Sequence, residues 1–315
     1  MTKPKPSNYV HDALFYASDD ELLTAAVPFL SEGLARDETV LVECRDHINR
    51  LLTTALDDDP RVVCFPRPGS SGRPAATIAW YQETLQAEVD AGISQVRGVG
   101  EVDFGPTPAQ WAEWARFESV INQALARYPL WGVCMYDTRV LPEEIVHAGE
   151  RTHPHLMTTK ERIANPQYVD PTDFLRSMPP PGPDPLASAP PDVHIPDLTN
   201  LADARRRIHR ACLAGSAVPK SSVAEFVYAI NEVATNAVRH GRRPVSVRLW
   251  TSPERLLCTV TDHGTGFNDP LAGYLPGSSD AAEPGQGLWL ARRLSDHVDA
   301  ARTSEGFCVR LTTGR

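Results

Sequence analysis

The 315-residue chain predicts two α/β units in tandem. Three observations carry that expectation. From residue 11 to 137, short apolar, β-branched runs alternate with helical stretches, the pattern of a mostly parallel sheet covered on both faces. Between Pro179 and Pro196 eight prolines fall in a stretch without sustained apolar periodicity. Beyond it the order becomes helix, helix, hairpin, helix, hairpin, which builds an α/β sandwich.

In the first unit (1–165) the strands are HDALFYA (11–17), ETVLVEC (38–44), RVVCFP (61–66), ISQVRGVGEV (93–102) and LWGVCMYD (130–137). Helical stretches at about 18–35, 46–57, 73–92 and 107–127 separate them. A three-layer arrangement follows. No loop of the form GxxxxGK[ST] occurs, and GSSGRP (69–74) lacks the lysine and the following hydroxyl, so this unit is not expected to hydrolyse ATP.

Residues 166–197 are expected to be a linker, because proline fixes φ and removes an amide donor. In the second unit (198–315), Leu198, Leu201, Ile208, Ala211 and Cys212 stripe a first helix that Gly215 can stop. A helix over 221–240 follows. The runs 245–250 and 255–262 flank Thr251-Ser252-Pro253-Glu254, a hairpin signal, and a helix at 286–296 leads to a second hairpin around Ser304-Glu305-Gly306.

Composition narrows the function. The formal charge of −9 and the lack of any basic block interleaved with aromatics argue against direct nucleic-acid binding. No run of about eighteen apolar residues suggests a membrane span, and MTKPKPSNYV has no apolar core for a signal peptide. A soluble, cytoplasmic protein is expected. Cys44, Cys64, Cys134, Cys212, Cys258 and Cys308 stand singly, without disulfide or zinc-ribbon spacing.

Three C-terminal segments carry chemistry. On the helix over 221–240, Val223, Phe226, Val227, Ile230, Val233, Ala234, Ala237 and Val238 form the core-facing stripe. Glu232 and Asn236 lie one turn apart on another strip. A carboxylate there can polarise water or a hydroxyl, and the neighbouring amide oxygen can enter an octahedral Mg²⁺ shell. Strand 255–262 ends in Asp262, followed by His263-Gly264-Thr265-Gly266, whose glycines allow close backbone approach to a flat ligand. A carboxylate at that strand end can accept from an exocyclic amine such as that of adenine. Gly285-Gln286-Gly287 opens the next helix, freeing amides for anionic oxygens. Between them, 268–284 is rich in Gly, Pro, Ser and Asp and has the character of a lid. Taken singly, each segment also reads as a solvated helix face or an ordinary glycine turn; Arg239 and His240 could touch phosphates or a partner, and their structural reading is as capping cations before Gly241.

In this order and spacing, NEVATNAVRHG (231–241), TDHGTGF (261–267) and GQGLWLARRLSD (285–296) resemble the N, G1 and G2 boxes of the GHKL ATPase superfamily, specifically those of bacterial anti-sigma-factor serine kinases. The resemblance implies ATP and Mg²⁺ as cofactors. Glu232 would be the catalytic base, Asn236 the Mg²⁺ ligand and Asp262 the adenine reader. Gly264 and Gly266 would form the G1 turn, and Gly285, Gly287 and Leu288 the phosphate turn. Partners implied are a sigma factor or a STAS-domain anti-sigma-factor antagonist phosphorylated on serine or threonine, and a homodimer is common in that branch. A nonenzymatic ATP-binding switch that sequesters its partner is the alternative. A sensor histidine kinase is disfavoured, since neither His194 nor His209 lies in an acceptor-like sequence.

The segments HDALFYASDDELLTAAVPFLSEGLARDETVLVEC and CMYDTRVLPEEIVHAGERTHPHL resemble the MEDS sensory domain, over about residues 9–160. That resemblance implies a RecA-like fold without a phosphate loop and an unidentified small ligand. His11, Glu101, Cys134 to Asp137 and Arg151 to His155 are expected to gather at the carboxyl edge of the sheet. His11, Cys134 and His153 could bind a small ligand or a metal; taken one by one, they also read as satisfied core histidines and a buried cysteine.

Overall fold

A computed structural model describes residues 9–65, 73–179, 182–275 and 286–314. It divides into two compact units, Met1–Ser177 and Met178–Arg315.

The first unit is a seven-stranded sheet with helices on both faces. Its strands are β1 (Val10–Tyr16), β2 (Thr39–Glu43), β3 (Val62–Cys64), β4 (Val96–Gly100), β5 (Leu130–Asp137), β6 (His155–Met157) and β7 (Arg162–Ala164), in the order β3-β2-β4-β5-β1-β6-β7. All neighbours are parallel except β6 and β7. The central parallel strands β1, β2, β4 and β5 are largely buried, which is why they read as near-continuous apolar runs, whereas the edge strand β3 is mostly exposed.

Helix α1 (Asp19–Ala35) is capped by Ser18, whose hydroxyl accepts from Glu21 N, while the Glu21 carboxylate takes Ala17 N. With α2 (Asp46–Ala55) it buries Leu22, Ala26, Leu30, Ile48 and Leu52 against Leu14, Val40, Val42 and Val133. On the other face lie α3 (Pro74–Asp90), α4 (Pro108–Ala124) and α5 (Glu143–Thr152), followed by the short α6 (Pro171–Ser177). The start of α4 is set by a capping box between Thr107 and Gln110, with Pro108 in the first turn.

The second unit is a five-stranded antiparallel sheet, ordered β11-β12-β10-β9-β8. Its strands are β8 (Val193–Ile195), β9 (Ser246–Thr251), β10 (Arg255–Asp262), β11 (His297–Thr303) and β12 (Gly306–Gly314). Helices α7 (Leu201–Gly215), α8 (Lys220–His240) and α9 (Gln286–Leu294) pack on one face, closing a core around Val223, Phe226, Ile230, Val247, Leu249, Cys258 and Leu311.

The stretch expected as linker is partly built into the units. Residues 193–195 form the edge strand β8, and α6 belongs to the first unit. Residues 182–192 are tied to the second sheet: Arg255 pairs with Asp184 at 2.6 Å, Trp250 Nε1 donates to Ala189 O, Arg310 donates to Gly182 O and Thr251 N donates to Asp192. Proline bars a central strand but not such an edge or covering role. Among the described residues no helix is long and apolar enough to cross a membrane.

Candidate functional site

The apolar stripe of α8 turns Val223, Phe226, Val227, Ile230, Val233 and Ala234 into the core. That fixes the helix's rotation, so Glu232 and Asn236 border a cavity of about 920 Å³. Asp262, Gly266, Gly287 and Leu288 line the same cavity, with Phe307 and Val309 of β12. The expected site residues from three separated segments therefore share one wall system. The volume suits a nucleotide-sized molecule.

Asp262 ends β10, buried beneath the turn that follows. Its Oδ1 accepts from Gly264 N at 2.6 Å and from Arg242 N at 3.1 Å. One oxygen thus anchors the turn, leaving Oδ2 for a ligand. Gly264 shapes this anchor rather than forming the cavity wall. Gly266 adopts φ +66°, the left-handed region that favours glycine. Gly241 ends α8 in extended backbone (φ −83°, ψ −168°), not the left-handed cap a helix-stop glycine usually supplies. Glycine is needed there for another reason: a Cβ would lie 2.5 Å from both Ala237 O and Asp262 Cγ.

At the opposite wall, α9 begins at Gln286, and a Cβ on Gly287 would sit 2.6 Å from Asn236 Nδ2. Glycine at 287 thus leaves the Asn236 side chain the space beside the first turn of α9 that a Cβ would take. Gly285 lies outside the described residues, as does 276–284 of the expected lid. Within its described part, Asp269, Leu271, Ala272, Gly273 and Leu275 line the cavity. Arg239 and His240, expected either to touch phosphates or a partner or to cap α8, are exposed in its last turn and line the cavity. Cations at that position complement both a helix C-terminus and a polyanion.

The first unit gathers His11, Cys134 and His153, as expected, but not at the carboxyl edge of the sheet. They meet on the sheet face beneath α4, because His11 is the second residue of β1 and Cys134 lies in mid-β5. His11 Nε2 lies 3.2 Å from Cys134 Sγ, and the rings of His11 and His153 are 4.0 Å apart. Sequence reading missed Glu118, whose Oε2 is 3.5 Å from His11 Nε2 and 3.3 Å from His153 Nε2. The signal was present: Glu118 falls on the buried stripe Trp114, Phe117, Ile121 of α4, where a carboxylate needs a reason. Burial, then the Glu118 charge, pushes the Cys134 thiol up, so it is not poised as a nucleophile.

The carboxyl edge is filled instead by an ion-pair network. Glu101 accepts from Tyr16 Oη at 3.0 Å and from Arg45 N at 3.0 Å, and Arg45 and Arg139 flank Asp137 at 2.5 and 2.7 Å. Hydrogen bonds from Arg139, then Arg45, outweigh burial and hold Asp137 at about 2. A small cavity of about 60 Å³ opens beside the histidine cluster, lined by Tyr9, Glu43, Tyr81, Gly98, Gly100 and Gly132. The strand glycines create it by omitting side chains.

Residues 10–154 match the family model for the MEDS domain, the methanogen/methylotroph, DcmR sensory domain. Residues 195–313 match the model for the histidine kinase-like ATPase domain. No curated protein matches the chain. A domain of the second kind implies ATP binding, typically with Mg²⁺. The chain is thus a MEDS sensory domain fused to a histidine kinase-like ATPase domain of the GHKL type.

Proposed function

We propose that the second unit is an anti-sigma-factor kinase domain: it binds Mg²⁺-ATP and transfers the γ-phosphoryl to a serine or threonine hydroxyl of a STAS-type antagonist, under control of the MEDS domain. The single supporting observation is that Glu232, Asn236, Asp262, Gly266, Gly287 and Leu288 border one cavity. Bound Mg²⁺-ATP supplies the phosphoryl group and neutralises its developing charge. Asn236 would hold the ion, Asp262 Oδ2 would accept from the adenine amine, and the first-turn amides of α9 would face phosphate oxygens. Glu232 would take the attacking hydroxyl's proton as the new P–O bond forms and the bond to the ADP oxygen breaks. Arg239 and His240, at the rim, would meet phosphates or an acidic partner.

In this reading a small ligand of the first unit is the input, and sigma-factor capture or release is the output. The test is transfer of labelled phosphate from ATP to a serine-bearing STAS protein by the full chain. Glu232→Gln should lower the rate roughly 10²- to 10⁴-fold, the usual contribution of a general base, while ATP still binds. An unchanged rate would remove the proposed base. Nucleotide-dependent partner capture that ignores Glu232→Gln, with no transfer, would instead indicate a nonenzymatic switch.

A further inference from the structure

Four elements bring one ligating side chain each to a single buried point. β1 supplies His11, α4 supplies Glu118, β5 supplies Cys134, and the residue capping α5 supplies His153. One ligand atom from each lies within 4.8 Å of the others. His11, Glu118 and His153 are each at most 3% exposed.

The outer nitrogens of both rings are already committed. His11 Nδ1 lies 3.1 Å from Asn122 Oδ1, and the Asn122 amide is oriented because its Nδ2 donates to Thr152 O at 2.9 Å. His153 Nδ1 lies 2.8 Å from Gly149 O, which can only accept. Thr152 Oγ1, 3.2 Å from the same nitrogen, donates to Ala148 O and so faces the ring as an acceptor. Both rings therefore carry their proton on Nδ1 and aim an Nε2 lone pair inward. This is how metal-binding histidines are held.

Inside, the acceptors face one another. His153 Nε2 and both Glu118 oxygens are buried without a hydrogen-bond partner. A lone pair facing a carboxylate at 3.3 Å is repulsive unless a cation lies between them.

Three of the six donor separations can be set against a metal shell. Tetrahedral zinc with bonds of about 2.0–2.1 Å to N or O and about 2.3 Å to S has donor separations of about 3.3 Å between N and O and about 3.6 Å between N and S. The corresponding separations here are 3.3 and 3.5 Å for N to O and 3.2 Å for N to S. We propose that His11, Glu118, Cys134 and His153 form a tetrahedral transition-metal site, with zinc the best-fitting ion, at the centre of the first unit. Thiolate and carboxylate neutralise a divalent ion, and the two imidazoles add no charge, so the loaded site is neutral. Binding releases the Cys134 thiol proton to solvent. The small cavity shares His11, Glu118 and Cys134 with this site, so a ligand entering it would meet the metal's own ligands. The site stands independently of what the ATPase domain phosphorylates.

The test uses the full chain, stripped with a chelator and titrated with Co²⁺ alone, without nucleotide. One Co²⁺ per chain should bind, with intense tetrahedral visible bands and a thiolate-to-cobalt charge-transfer band, and Zn²⁺ should displace it. Cys134→Ser should abolish the charge-transfer band. Glu118→Gln should keep it while weakening affinity at least tenfold. Asn122→Ala, which only frees the His11 ring, should weaken affinity about 10- to 100-fold. A wild-type spectrum without the thiolate band would overturn the site whatever the variants do. So would a band that survives in a folded Cys134→Ser chain, since it would belong to another cysteine.

Discussion

Gly287 and Asn236 touch: a single methyl group on Gly287 would lie 2.6 Å from the Asn236 amide nitrogen. The turn that opens α9 and the helix that carries the expected Mg²⁺ ligand are thus held at a fixed separation. Substituting Gly287 by alanine should rotate the Asn236 amide without disturbing the core, because the atom displaced is a side-chain end. Mg²⁺-ATP affinity should fall roughly tenfold, about 1.4 kcal/mol, while the unliganded melting temperature holds. Unaltered affinity would mean that Asn236 does not depend on this contact.

Asp262 divides its two oxygens between structure and ligand. Asp262→Asn can keep an oxygen for the amides of Arg242 and Gly264 but turns an NH₂ toward an incoming amine. The loss should be about 1–3 kcal/mol, roughly 5- to 150-fold in ATP affinity. GTP, which offers an acceptor in place of that amine, should lose less. Equal losses for the two nucleotides would separate Asp262 from base reading.

Glu43 makes the first unit sensitive to pH in the neutral range. Burial raises its carboxyl to about 7, although a hydrogen bond from Tyr81 pulls it down. Because the folded state holds the proton more tightly than the unfolded chain, stability is greatest below the ordinary value of 4.5 and is lost as pH rises through about 7. The difference corresponds to about 3 kcal/mol. Glu43→Gln should remove that slope and leave the variant more stable than wild type at pH 8 in denaturant titrations.

Arg97 is a charged core residue of the first unit, 1% exposed. It pairs with Glu38 at 2.6 Å and Glu32 at 2.9 Å, donates to Phe29 O, and stacks between Phe29 and Trp131. Arg97→Ala strands Glu38 and empties the space between two rings, so unfolding of the first unit should require about 3–5 kcal/mol less. A change under about 1 kcal/mol would show that the pair is no better than a surface bridge.

Both architectures were legible from hydrophobic patterning. Largely buried central strands, and helices α1 and α4 with side-chain N-caps, leave clear runs, so α1 through β5 lie within a few residues of expectation. The region 143–164 was not legible. In α5 only Ile145, Gly149 and Thr152 are buried, and β6 and β7 have three residues each, too few to establish a period. The prolines at 179–196 hid β8, since proline argues against a central strand and is silent about an edge. At the sites, motif spacing placed Glu232, Asn236 and Asp262 together because they sit at fixed offsets on α8 and β10. Glu118 was missed because it sits within the apolar stripe of α4, whose helical period one carboxylate does not interrupt.

The central claim is that one cavity of the second unit takes a single Mg²⁺-ATP. Calorimetric titration of ATP with Mg²⁺ into the full chain, beside Asn236→Ala, tests it most directly. One site per chain in wild type, weakened at least tenfold by Asn236→Ala and dependent on Mg²⁺ only when Asn236 is present, is the predicted result. No heat of binding in wild type, or the same affinity and Mg²⁺ dependence in both proteins, would contradict it.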